Sequence, residues 1–331
     1  MGSGSQVLIS APYIIPEIER FRDHLEASGI ILTVASVVER LSEDELLTFA
    51  GKVDGVICGD DPFTEGILER FAPRLKVISK WGTGVDSIDL SAAEALGIKV
   101  FNTPDAFTDA VADSVMGYVL SFARDLPWMD AAMKRGEWEK RTGYSLRERT
   151  LGVIGVGRIG KAVLTRAHAF GMQLLGNNIV EVDGGFVSSI DVDMGSVEEV
   201  LASSDYVSIN CDLNPSSKSL INADRLNQMK ESSVLINTAR GPIVVESALI
   251  EALDSGRLAG AALDVFEEEP LPPESPLRRM ENVLLAPHNS NSSPRAWERV
   301  HLNSLANLFK GLGLDVPEEV LDVTSDLSSG I

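Results

Sequence analysis

The sequence predicts an α/β protein of two doubly wound parallel sheets, with one domain inserted into the other. Three observations carry this. Strand-like apolar runs alternate with helix-like runs along most of the chain. A glycine run, Gly155-Val-Gly157-Arg-Ile-Gly160, joins an apolar strand to a helix. That run begins only at residue 155 of 331, so another α/β unit must precede it. Alternation of strand and helix builds parallel sheets, because parallel neighbours need a crossover connection.

The elements follow in order. Met1-Gly-Ser-Gly-Ser reads as a short added extension. Gln6–Ser10 is a short apolar run and a first strand. Pro16–Ser28 reads as one amphipathic helix that stops at Gly29, and Ile30–Val34 as a strand. Ser42 has Glu45 three residues later, a capping box, which places a helix over Ser42–Ala50. Val56–Cys58 and Val77–Ser79 are short buried strands. This first part carries no phosphate fingerprint. Asn102-Thr-Pro104 reads as a hinge, since proline neither continues a strand nor enters mid-helix. A long helix over Thr108–Arg124 follows, then a polar segment that carries Trp128 and Trp138.

Next comes the fingerprint, preceded by the apolar run Leu151–Ile154. Each glycine has a physical task. Gly155 permits the tight strand-to-helix turn, Gly157 lets backbone approach a pyrophosphate, and Gly160 lets helix and strand pack closely. The N-terminus of the following helix offers unpaired N–H groups to phosphate. Ile159, Val163, Leu164, Ala167 and Phe170 recur at helical spacing, and Gly171 is a stop. Further strands are expected at Gln173–Gly176, Tyr206–Asn210, Val234–Asn237, Ala261–Val265 and Val283–Ala286. Helices are expected at Glu246–Asp254 and Pro294–Gly311.

Composition narrows the function classes. With 44% apolar and 24% charged residues the chain lies in the globular range and can fill two cores. A net charge of −20 repels nucleic acid and anionic membranes, so neither is expected as a partner. An anionic substrate would need local arginines or lysines. No apolar run reaches membrane-spanning length, and no N-terminal segment has the order of a signal peptide. Cys58 and Cys211 are too few and too far apart for a disulfide framework or a metal site. The expected location is the cytoplasm, with no metal.

Three apolar strands after the fingerprint end in polar residues: Asn237-Thr-Ala-Arg240-Gly241, Leu263-Asp264-Val-Phe-Glu-Glu-Glu269-Pro270, and Ala286-Pro-His288. In open α/β sheets, ligands bind at such carboxyl ends. This order of motifs resembles the D-isomer-specific 2-hydroxyacid dehydrogenases, and within them the D-3-phosphoglycerate dehydrogenase branch. Lys80-Trp-Gly82-Thr-Gly84, Asn102-Thr-Pro104, Val111-Ala112-Asp113 and Leu249-Ile-Glu-Ala-Leu253 add to the likeness, which runs from about residue 50 to 300.

The resemblance implies a Rossmann cofactor domain, residues 104–290, inserted into a flavodoxin-like substrate domain, residues 1–103 and 291–331. It implies interconversion of a small D-2-hydroxy acid and its 2-oxo acid with NAD. His288 would be the general acid/base, and Glu269 would favour its protonated form. Arg240 would clamp the substrate carboxylate, which a planar guanidinium fits bidentately. Gly155, Gly157, Arg158, Ile159, Gly160, Asn178, Cys211, Thr238, Ala239 and Asp264 would hold the cofactor, with Asp264 at the nicotinamide carboxamide. Backbone N–H groups of Gly82, Thr83 and Gly84 would hold the substrate carboxylate. Lys80 is read either as a ligand for an anionic substrate group or as a solvated charge. His24, His168 and His301 fall in helical patterns and read as surface or packing residues. Glu267 and Glu268 read as solvated loop charges. A homodimer is implied, with the Trp128–Trp138 segment wrapping the partner, and so is closure of the two domains over the cofactor.

The chain also departs from the family. Asn178 stands where an acid usually binds the adenosine ribose, which weakens rejection of NADP. No Lys or Arg lies between Arg166 and Lys218, and Glu181 and Asp183 add negative charge, so NAD remains preferred. Asp212 replaces a common proline, Asp113 a common glutamate, and Ser290-Asn291-Ser292 a Gly-rich stretch. The chain ends near residue 331, so a C-terminal regulatory domain is not expected. The substrates weighed are 3-phosphoglycerate, glyoxylate and hydroxypyruvate. A non-enzymatic NAD(H)-sensing scaffold like the corepressors of this fold is the alternative.

Overall fold

The computed structural model describes residues 4–321. Met1–Ser3 of the N-terminal extension and residues 322–331 lie outside the described residues. The chain forms two compact units. One holds the residues up to Ala106 and those from Ser293 onward, and the other is Phe107–Ser292.

The first unit is built on five parallel strands: β1 (Ser5–Ile9), β2 (Ile30–Val34), β3 (Gly55–Cys58), β4 (Val77–Lys80) and β5 (Lys99–Phe101), in the order β2-β1-β3-β4-β5. β3 and β4 are buried along their whole length, as central strands covered on both faces must be. One face packs Leu8, Val56 and Ile78 against Phe63, Leu68 and Phe71. The other face receives the helix Pro294–Leu312, which lies on β3 and β4. Gly311 makes that close approach possible, because a Cβ there would collide with Val77. Ser79 Oγ donates to Ser304 O at 2.8 Å across the same contact.

Two expectations in this unit change in detail. The helix expected over Pro16–Ser28 is a 3₁₀ stretch, Ile15–Phe21, that passes into an α-helix, Arg22–Ala27. Ile15, Ile18 and Phe21 recur every third residue, which matches three residues per turn; the step from Phe21 to Leu25 then matches the α-helix. The Ser42 capping box is present, but its helix is only Glu43–Leu47. Two short helices, Glu65–Phe71 and Leu90–Ala95, complete the crossovers.

The second unit has seven parallel strands: β6 (Thr150–Ile154), β7 (Gln173–Asn177), β8 (Val192–Met194), β9 (Tyr206–Ile209), β10 (Val234–Asn237), β11 (Gly260–Leu263) and β12 (Val283–Leu285). Their order is β12-β11-β10-β9-β6-β7-β8. Counted within this unit, the first strand lies between the second and the fourth, the arrangement of dinucleotide-binding doubly wound sheets. The chain reverses direction between β6 and β9, and this switch point opens a crevice at their carboxyl ends. Helices cover both faces. Val115, Val119, Val163 and Leu164 fill one core, and Val200, Leu226, Leu249 and Leu253 fill the other. The expected helix over Thr108–Arg124 is Thr108–Ala123, and the Trp128 segment is itself helical over Leu126–Lys134. Trp128 packs on Phe122 of its own unit, with ring centroids 4.9 Å apart, and donates to Glu281 O. Trp138 is 85% exposed.

Candidate active site

The fingerprint turn closes β6 onto the helix Arg158–Ala169. Gly155 sits at φ +96°, where a side chain is strained, and a Cβ there would strike the backbone of Asn210 and Cys211 after β9. Gly160 is equally constrained: its Cβ would collide with Gly155 O. Gly157 has open space around it and is exposed at the helix N-cap, with no side-chain cap over the helix N–H groups. Arg158 is exposed in the first turn, and Ile159 is half-buried against the core.

Asn178 follows β7 and shapes this turn. Its Oδ1 accepts from Val156 N–H at 3.1 Å, and its Nδ2 donates to Val180 O at 2.8 Å. The amide thus braces the turn between β6 and the following helix. Asp183, one of the two acids noted nearby, caps the next helix by accepting from Phe186 N–H. Two buried side-chain oxygens at neighbouring strand ends, Asn210 Oδ1 and Thr238 Oγ1, have no hydrogen-bond partner among the described residues. A glycine cradle, an uncapped helix N-terminus and two unpaired oxygens along one sheet edge fit a bound dinucleotide. Cys211 lies half-buried beside Gly155, and burial pushes its thiol up to about 11, so it is a neutral thiol near pH 7.

Arg240 is placed by its neighbours. Asn237, the last residue of β10, is buried; its Oδ1 accepts from Ala239 N–H at 3.1 Å and its Nδ2 donates to Arg240 O at 3.0 Å. That short ring fixes the loop Thr238–Arg240. Arg240 Nη1 donates to Ala239 O at 2.9 Å. Gly241 then lets the loop meet the one after β11, since a Cβ there would overlap Phe266.

The loop after β11 carries Asp264 and Glu269. Glu269 Oε1 accepts from Phe266 N–H at 2.9 Å, and Oε2 lies 2.9 Å from His288 Nδ1. Both side chains are about one-fifth exposed, at 20% for His288 and 22% for Glu269. A carboxylate at Nδ1 orients the ring and favours the tautomer that carries its proton on that nitrogen. His288 itself is left-handed, at φ +51°. Glu267 and Glu246 bind each other's backbone N–H groups, so Glu267 is tied to a neighbouring helix start, while Glu268 is exposed.

In the first unit, Lys80 is not a solvated charge. It is buried, with Nζ 3.0 Å from Asp60 Oδ1 and a hydrogen bond to Trp81 O at 3.2 Å. Gly82 has φ +129°, and its N–H donates to Thr103 Oγ1 at 3.2 Å. The N–H groups of Thr83 and Gly84 have no partner among the described residues and are the available anion donors of this loop. Asn102 Nδ2 fixes the loop by donating to Thr83 O at 2.6 Å. His301 is buried and accepts from Trp81 Nε1 at 3.0 Å, a packing role, while His24 and His168 are partly or fully exposed.

The sequence alone assigns no role to Asn237 or Asn210. A polar residue closing an apolar strand, as Asn237 and Asn210 do, was the available signal. The pairing of Asp60 with Lys80 follows no local pattern, because Lys80 comes from another strand.

Comparison with known proteins identifies the family of this chain. A family model described as D-isomer specific 2-hydroxyacid dehydrogenase, NAD binding domain, matches residues 116–290. A glyoxylate reductase of Thermofilum pendens is 37% identical over 287 residues, 85% of each chain. A D-3-phosphoglycerate dehydrogenase of Methanocaldococcus jannaschii is 36% identical over 306 residues, which are 91% of this chain but 58% of that protein. The crystal structure of D-lactate dehydrogenase from Aquifex aeolicus with NAD and lactic acid superposes with a TM-score of 0.80, at 26% identity, covering 98% of this chain and 95% of that one. Among the described residues, no helix is long and apolar enough to cross a membrane. The chain belongs to the D-isomer specific 2-hydroxyacid dehydrogenase family, NAD-dependent oxidoreductases that interconvert 2-hydroxy and 2-oxo acids.

Proposed function

We propose that this chain interconverts a small D-2-hydroxy acid and its 2-oxo acid, with Arg240, Glu269 and His288 as the catalytic residues. The observation that carries the proposal is the 2.9 Å contact of Glu269 Oε2 with His288 Nδ1. In the reductive direction, His288 Nε2 gives a proton to the substrate carbonyl oxygen, and Glu269 stabilises the imidazolium beforehand. Arg240 binds the substrate carboxylate and polarises the carbonyl. A nicotinamide held at this sheet edge would supply the hydride for the carbonyl carbon, or take it up in the reverse direction. Gly155, Gly157, Arg158, Ile159, Gly160, Asn178, Cys211, Thr238, Ala239 and Asp264 are the proposed cofactor residues. The N–H groups of Thr83 and Gly84 are the proposed carboxylate donors of the first unit.

The substrate domain is read as the unit up to Ala106 and from Ser293 onward, and the cofactor domain as Phe107–Ser292. The order β2-β1-β3-β4-β5 supports a flavodoxin-like substrate domain. NAD is preferred over NADP, because the two acids after Asn178 bring no cation for a 2′-phosphate. The exposed Trp138 and Met133 support a homodimer through that segment. The cytoplasm is the proposed location.

The test is NADH oxidation with a panel of 2-oxo acids, and the variant His288→Gln. We expect turnover to fall at least about a thousandfold, since general acid–base catalysis contributes that order, with NADH binding nearly intact. Full activity in the variant would reject the assignment. NADH binding without turnover of any 2-oxo or 2-hydroxy acid by the unaltered protein would favour a sensing scaffold.

A further inference from the structure

Three aromatic residues gather at the carboxyl edge of the five-stranded sheet. Tyr13 follows β1, Trp81 follows β4, and Trp297 lies in the first turn of the helix Pro294–Leu312. Their ring centroids are 5.1 Å (Tyr13–Trp297), 5.2 Å (Tyr13–Trp81) and 5.9 Å (Trp81–Trp297) apart. Trp81 is the residue before the Gly82–Gly84 loop, so the group adjoins the proposed carboxylate donors.

The polar handles of these rings are not equivalent. Tyr13 Oη donates to Glu39 Oε2 at 3.4 Å, and Trp81 Nε1 donates to His301 Nδ1 at 3.0 Å. Trp297 Nε1 is buried and has no partner among the described residues. A buried indole N–H without an acceptor is costly and is normally paired. The cation next to Trp81 in the chain, Lys80, already faces Asp60 at 3.0 Å.

Among the groups named around these rings, the unpaired donor is the neutral Trp297 N–H. A phosphate dianion needs cations or several converging N–H groups. We propose that Trp297, with Tyr13 and Trp81, forms the subsite for the substrate's C3 substituent, and that it accepts an uncharged group with one acceptor oxygen. The substrate class is then an unphosphorylated 3-hydroxy-2-oxo acid rather than its phosphate ester. The proposal rests on the 2-oxo-acid reading above and narrows it.

The test compares kcat/KM with NADH for hydroxypyruvate, glyoxylate and 3-phosphohydroxypyruvate, in the unaltered enzyme and in Trp297→Phe. Hydroxypyruvate should exceed its phosphate ester by about a hundredfold or more, as expected when a charged group enters a site with no partner for it. Trp297→Phe keeps an aromatic ring and removes the N–H with the pyrrole part of the indole. It should lower kcat/KM for hydroxypyruvate about tenfold, mostly through KM, and change glyoxylate, which lacks C3, by less than about twofold. A merely structural role would move both substrates alike and would overturn the proposal, as would preference for the phosphate ester. Binding is read separately, from quenching of tryptophan fluorescence by D-glycerate and by 3-phospho-D-glycerate. If no 2-oxo acid is turned over, the dehydrogenase reading fails, and the subsite is still decided: D-glycerate must bind more tightly than its phosphate, and the reverse order overturns it.

Discussion

The backbone N–H of His288 donates to the carbonyl oxygen of Asp264 at 2.7 Å, and the Asp264 carboxylate accepts the next two N–H groups, from Asn289 at 2.7 Å and Ser290 at 2.9 Å. Asp264 is 1% exposed. It clamps a histidine whose left-handed backbone few residues adopt unaided. Asp264→Asn keeps one acceptor and places an amide N–H against a backbone N–H. We expect a stability loss of about 1–3 kcal/mol, the usual cost of a buried group left without its partner. The kcat should fall by about tenfold or more as His288 loses its placement. A thermal melt and steady-state kinetics check both. Unchanged melting temperature and kcat would remove Asp264 from this role.

Asn178 tests cofactor choice. In Asn178→Asp the oxygen that accepts from Val156 N–H is retained, while the donation to Val180 O is lost and a negative charge appears at the proposed ribose position. The ratio of kcat/KM for NADH over NADPH should rise about tenfold, by repulsion of the 2′-phosphate. A fall in that ratio would show that residue 178 does not face the ribose.

His301 gives a pH dependence of stability. Burial holds its pKa below the ordinary value of 6.5, and its Nδ1 accepts from Trp81, which requires a neutral ring. Above about pH 6.5 the ring is neutral in both folded and unfolded chains, and there is no penalty. As pH falls below that value the unfolded chain takes up the proton first, so stability is lost until the folded pKa is reached. His301→Gln, which keeps an acceptor, should lose less stability over the same acid range. Melting temperatures of both proteins between about pH 5 and pH 8 measure the difference; parallel curves would rule out His301 as its source.

Much of the frame was legible locally. Ile30–Val34, Val234–Asn237 and Glu246–Asp254 fall where alternation, apolar runs and end signals put them. Gly171, at φ +73°, ends its helix as glycine should. Short pieces such as β8 (Val192–Met194) and the helix Leu90–Ala95 escaped, because three to six residues show no full period. The 3₁₀ start at Ile15 was hidden for a related reason, since spacings of three and four occur together in any amphipathic helix.

The sequence by itself determined the alternation of elements, the dinucleotide turn and which strand ends carry Arg240, Glu269 and His288. Backbone sterics at Gly155 and periodic burial act over a few residues, so they can be read along the chain. Tertiary structure decided the partners. Glu269 meets His288 from 19 residues away, Lys80 is neutralised by Asp60 of another strand end, and Trp81 finds its acceptor 220 residues later. Those pairings depend on how parallel strands align and how loops at one sheet edge converge. That alignment also spends the handles of Lys80 and Trp81 and leaves Trp297 Nε1 unpaired, a distinction that residue type alone does not contain.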